Sequence, residues 1–108
     1  MSGPSLRVTF APDANRDLVD QADFLSIEAG LAVSNRFIQA VAHTVDLLSQ
    51  MPGMGRVFRP ANNRQIELRT IPVSRPFHRS VIFYTSTATQ LRIERILHSA
   101  QNLHRFFP

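Results

Sequence analysis

The stretch Ser80-Val81-Ile82-Phe83-Tyr84-Thr85-Ser86-Thr87-Ala88-Thr89-Gln90-Leu91-Arg92-Ile93-Glu94-Arg95-Ile96-Leu97-His98 decides the fold. Val81 to Tyr84 is apolar on both faces, which suits a central strand with material on either side. Thr85 to Thr89 is a run of small polar residues that suits a turn. Gln90 to Leu97 forms a second strand, so the stretch reads as a β-hairpin. Upstream, Gln65 to Ile71 alternates cleanly. Ile66, Leu68 and Thr70 share one face; Gln65, Glu67, Arg69 and Ile71 share the other. Pro72 and Pro76 punctuate the connection to Val81. Three strands joined in sequence this way pair antiparallel.

The N-terminal half has a different period. Leu6 to Phe10 alternates and reads as a strand. Pro12-Asp13 then opens a helix, since proline is tolerated in a first turn and acids there suit the positive end of the helix dipole. Ala14, Leu18, Ala22, Leu25 and Ala29 form one i, i+4 stripe, with Phe24 and Ile27 as a second apolar edge. Gly30 stops this helix. A second helix runs from about Leu31 to Met51, with Phe37, Ile38, Val41, Val45 and Leu48 as its apolar stripe. The tight Gly30 connection makes the pair an antiparallel hairpin. Pro52 and Gly53 end it, and a loop of about a dozen residues leads to the alternating strand. The expected architecture is α+β, in the order β-αα-βββ, with the helices on the Ile66/Leu68 face of the sheet. Glu67 and Arg69 would then point to an open face. Ser99 onward reads as a short helix or an extended tail.

A chain of 108 residues, 44% of them hydrophobic, is one folded domain. It has no cysteine, which excludes disulfides and thiolate metal sites. Its start lacks the apolar core of a signal peptide, and no apolar run approaches the ~20 residues that cross a bilayer. The expectation is a cytoplasmic protein with no membrane partner. Charge is uneven: residues 1–50 carry three arginines against six acids, residues 51–108 nine arginines against two. The basic half invites nucleic acid or an acidic partner. All twelve basic residues are arginine, a fork that fits phosphate and carboxylate, although codon bias alone accounts for such a preference. No metal is expected from His78, His98 and His104, which have no His-x-x-His spacing and no nearby acids. His43 falls on a helix and reads as solvated. Gly53-Met54-Gly55 lacks the strand-before, helix-after context of a phosphate loop. Phe106-Phe107 reads as a cap on the core, or else as a partner contact.

Taken in order, these segments resemble the ParE toxins of the RelE/ParE superfamily. The resemblance rests on Ala14, Asp17 and Leu18 in the first helix and the pair Phe24-Leu25. It continues through Leu48 followed by Pro52, Gly55 and Arg56, then Arg69 and Ile71, and the Val81–Tyr84 strand. It closes on Ile93-Glu94-Arg95-Ile96-Leu97-His98-Ser99-Ala100. Two positions depart from the pattern. Gln21 stands where an apolar residue is usual, and Gln101-Asn102 stands where Arg-Asp is usual.

The resemblance implies a toxin of a type II toxin–antitoxin system that binds DNA gyrase, needs no cofactor, and is held silent in a hetero-oligomer by a ParD-like antitoxin. It implies an antitoxin segment across the helical hairpin, over Leu18, Phe24, Leu25, Ile27, Phe37 and Val41. The acidic first helix would favour basic residues on that segment. Arg69, Arg95 and His98 are the expected target contacts, by their places on the open face and at the end of the last strand. RelE-type relatives instead cut mRNA on the ribosome. A metal-free cut needs a base, an acid and arginines on the phosphorane, for which Glu67, Arg69, Arg79, Tyr84, Arg95 and His98 are the candidates. Each has a structural explanation too: strand pairing for Glu67 and Arg69, a core ring for Tyr84, a tail anchor for His98. An inert relative that only binds its partner is the third class.

Overall fold

The computed structural model describes residues 5–59 and 67–99. Strand β1 (Arg7–Phe10) leads into helices α1 (Pro12–Ala29) and α2 (Leu31–Gln50). A single 3-10 turn (Pro52–Met54) follows, then β2 (Arg56–Phe58), β3 (Leu68–Pro72), β4 (Ser80–Ser86) and β5 (Gln90–His98). The five strands form one sheet in the order β1-β5-β4-β3-β2. β1 runs parallel to β5, and the other neighbours are antiparallel. The hairpin of helices and the antiparallel run of β3, β4 and β5 are as expected. Inside the segment read as one long loop, Arg56–Phe58 forms an edge strand on β3. Three residues are too few to show a period.

Gly30 joins the helices at φ 97°, a conformation that costs glycine little and other residues much. The alanines Ala14 and Ala22 are buried, and their size lets α1 lie close to the sheet. Phe37, Val41, Val45 and Leu48 of α2 are buried with them. Ile38, expected in that stripe, sits at its rim and is 42% exposed. Ser34 and Thr44 take buried positions instead, each with its hydroxyl donating to a carbonyl of Ala22 or Ala40 at 2.7 and 2.8 Å.

The strand faces are the reverse of the expected assignment. Ile82, Tyr84, Ile93 and Ile96 join the helices in the main core, and Ile71 packs against it. In register, Ile71 lies opposite Ile82 and Arg69 opposite Tyr84. The helices therefore cover the Arg69/Ile71 face of β3. Leu68 is buried on the other side, where Phe83 and Leu97 are also buried and Phe58 meets Phe83 edge-on at 5.4 Å. The physical reason is that β4 is apolar on both faces. Either face of β3 could match it, and the alternation of β3 alone does not choose. The far side of the sheet thus carries its own apolar cluster, not an open polar surface.

Candidate functional site

Three regions hold the candidate residues. The first is a polar cleft of about 270 Å³ lined by Glu67, Arg69, Tyr84, Thr85 and Ser86. It lies beside the Pro52-Gly53-Met54-Gly55-Arg56 turn. Tyr84 donates its hydroxyl to the Pro52 carbonyl at 2.6 Å and accepts from the Gly55 amide at 2.9 Å. Arg69 donates to the Gly55 carbonyl at 2.8 Å. Gly55 is required here, because a Cβ would stand 2.5 Å from the Tyr84 hydroxyl and 2.8 Å from the Thr70 carbonyl. Burial pushes the Tyr84 phenol above its ordinary value, against the opposing pull of the Gly55 amide and the Arg69 charge. Glu67 pairs with Arg69 at 3.5 Å and with Arg59 at 3.7 Å. Arg56 is exposed and makes no ion pair among the described residues.

The second region is the edge of β5 beyond the end of β1. Asp17 accepts both arms of Arg95, at 2.8 and 2.9 Å, and the amide of Ile96 at 3.0 Å. The carboxylate holds the Arg95 guanidinium above its ordinary value. One turn on, Gln21 donates to the Ile96 carbonyl at 2.7 Å and accepts from the Ser80 hydroxyl at 2.6 Å. Two α1 side chains thus satisfy the backbone that a longer β1 would have paired. Arg95 pairs with Asp17.

The third region lies between the helices and the β3–β4 connection. A cavity of about 190 Å³ is lined by Gln21, Phe24, Leu25, Phe37, Pro76, Phe77, Arg79, Ser80 and His98. A shallower groove of about 440 Å³ adjoins it, along Val33, Arg36, Gln39, Ala40 and His43 of α2 and the segment 74–77. Pro76 and Phe77 border both. Above them, Phe24, Ile27 and Leu31 are 62%, 80% and 69% exposed. Phe24 and Ile27 are one turn apart on α1, and Leu31 opens α2 just past the Gly30 turn.

The nuclease candidates therefore do not converge. Glu67, Arg69 and Tyr84 meet at the cleft, Arg79 and His98 at the cavity, and Arg95 on Asp17. The expected target contacts Arg69, Arg95 and His98 fall in the same three places. Of the expected antitoxin contacts, Phe24 and Ile27 are exposed and Leu18 and Leu25 half-buried, but Phe37 and Val41 are interior, and Phe37 shows only as part of the cavity wall. Sequence reading overlooked Arg36, Arg75 and the bridging role of Gln21. An arginine on a helix edge and another beside a proline carry no motif, and the partners of Gln21 are 59 and 75 residues away. No group of three metal-binding side chains occurs among the described residues. His104, Phe106 and Phe107 lie outside them, and so does the pair Gln101-Asn102.

No helix among the described residues is long and apolar enough to cross a membrane. A search of curated proteins returned no match. Among solved structures the fold is similar to a chain described as a chromosomal ParDE toxin–antitoxin system from P. aeruginosa, with a TM-score of 0.68 and 19% identity over 87% of this chain and 96% of that one. That likeness speaks for the fold. Against family models, residues 8–103 match the ParE toxin of the type II toxin–antitoxin system parDE. With the match covering nearly the whole sequence, the chain belongs to the ParE toxin family.

Proposed function

We propose that this chain is the growth-arresting half of a ParDE pair, acting in the cytoplasm by binding DNA gyrase and kept silent by a ParD-like antitoxin laid across its helical hairpin. It works as a binder and needs no cofactor. The observation that carries the antitoxin half of this reading is the exposed ridge Phe24, Ile27 and Leu31. Three exposed large apolar side chains, two on the last turns of α1 and one at the start of α2, are a poor solvent surface and a good seat for an amphipathic partner. The dispersal of the nuclease candidates supports gyrase over mRNA. A base, an acid and an oxyanion clamp must all lie within about 3 Å of one reacting group, whereas these residues sit in three regions.

One observation favours the ribosome-dependent nuclease: Glu67, Arg69 and Tyr84 do share a cleft. Against it, the Tyr84 hydroxyl is already committed to Pro52 and Gly55. The target contact is proposed at this same cleft, with Arg69 at its wall and the exposed Arg56 beside it. His98, and Arg95 once released from Asp17, are the remaining proposed contacts. Purified protein is expected to inhibit gyrase supercoiling and to trap cleaved DNA. Transcript mapping after induction is expected to show no codon-linked cuts. Early cuts with gyrase unaffected would transfer the function to the nuclease, and no growth arrest at all would leave an inert binding relative.

A further inference from the structure

Five described arginines are spoken for by carboxylates: Arg16, Arg59, Arg69, Arg92 and Arg95. Arg7, Arg36, Arg56, Arg75 and Arg79 make no ion pair among the described residues. Three of these five are gathered in one place. Arg36 and Arg75 flank the groove along α2, and Arg79 lines the cavity that adjoins it. Among the described residues no carboxylate lines either hollow. Between the arginines the surface is apolar: the half-buried Phe77 lines both hollows, backed edge-on by the buried Phe37 at 5.5 Å between centroids. On α1, Asp20 and Asp23 are turned away from Gln21 and Leu25; the exposed Glu28, one turn past Phe24 and Leu25, is the one α1 acid on their face, and it lines neither hollow.

We infer that the α2 groove and its adjoining cavity read an acidic stretch of the antitoxin: one large apolar side chain enters beside Phe37 and Phe77, and flanking carboxylates meet Arg36, Arg75 and Arg79. This rests on the antitoxin reading above and extends it in a specific way. The acidity of α1 alone calls for a basic antitoxin segment. The groove reverses that sign over the part of the segment that leaves the Phe24/Ile27/Leu31 ridge. Guanidinium forks around an apolar floor suit carboxylates held on a folded segment. A cavity of about 190 Å³ has room for a single leucine- or phenylalanine-sized side chain. The mainly apolar lining favours a protein segment over a phosphate backbone, which would need cations without the hydrophobic floor.

The test uses the full chain and the antitoxin encoded beside it, both purified, with Kd and association rate measured at two salt concentrations. Arg36→Glu/Arg75→Glu and Arg79→Glu are compared with Arg7→Glu, an exposed arginine on β1 away from the groove. All four positions are at the surface, and thermal melts check that each variant keeps its fold. The expected result is at least about a tenfold loss of affinity for the groove variants, a flatter salt dependence, and no change for Arg7→Glu. Antitoxins with single Glu→Lys or Asp→Lys changes should include one that restores binding to a groove variant. If wild type binds the antitoxin and the groove variants bind equally well, this inference falls and the function proposed above stands. If wild type does not bind the antitoxin at all, that function falls and this inference with it. If the groove variants lose affinity for a DNA duplex and not for the antitoxin, the surface belongs to nucleic acid and the inference is overturned.

Discussion

At the scale of single residues, Tyr84 does most to define the candidate target site. Its ring is fully buried, and its hydroxyl both donates to Pro52 and accepts from Gly55. Tyr84→Phe leaves a buried amide and a part-buried carbonyl without their partner, so we expect a loss of about 1–3 kcal/mol, read by denaturant titration. Gly55→Ala forces the same contact apart and should cost a similar amount, about 1–3 kcal/mol. The phenol also sets a pH dependence. Its proton is held more tightly in the folded state than in the unfolded one, so the folded state binds more protons once pH passes the ordinary tyrosine value of about 10. Stability from this source is complete below that pH and declines as pH rises toward the folded value. Tyr84→Phe should remove that alkaline slope; an unchanged slope would assign it elsewhere. The sequence marked the residues of this site but not their relation. Pro52, Gly55, Arg69 and Tyr84 all stood out, yet their contact spans 32 residues and no local pattern records it.

At the scale of elements, the least expected device is the hand-over from β1 to α1 along β5. β1 pairs only with Gln90–Ile93, and Asp17 and Gln21 then take over the amide and carbonyl of Ile96. An exposed strand edge invites foreign strands, and here helix side chains close it. Asp17 and Arg95 are largely buried, with side chains 14% and 21% exposed. Removing either leaves the other partly buried and uncompensated, so Asp17→Ala should cost about 2–4 kcal/mol. A double-mutant cycle with Arg95→Ala, followed by thermal melts, should show strong coupling. If Arg95→Ala lowers growth arrest without lowering stability, Arg95 faces the target instead. The sequence made both helices and four of the five strands legible, because their periods are long enough to count. It misplaced the covered face of β3, where the two faces of the alternation are equally plausible, and Arg56–Phe58 was too short to detect. The outlier Gln21, set against the family pattern, was the one visible sign of the hand-over.

At the scale of the whole molecule, the surface divides into an apolar hairpin ridge, a basic groove beside it, and the Arg56/Arg69 cleft. Phe24→Asp and Ile27→Asp, both at exposed positions, should keep the wild-type melting temperature and bind the antitoxin at least about tenfold more weakly. Phe37→Ala, at a buried one, should lose about 3–5 kcal/mol and say nothing about the partner. Chain order adds a further consequence. β5 comes last among the described strands but sits second in the sheet, pairing with both β1 and β4 and lying beneath α1. A chain cut before Gln90 lacks the strand that joins its two ends, and we expect it to show no cooperative melting transition. The same holds during synthesis. Until β5 emerges, the nascent chain has neither a closed sheet nor, on the function proposed above, a finished target surface. A partner that recognises the α1–α2 hairpin meets its site earlier in that sequence of events. Under the antitoxin reading proposed above, neutralisation then starts before the target surface is complete.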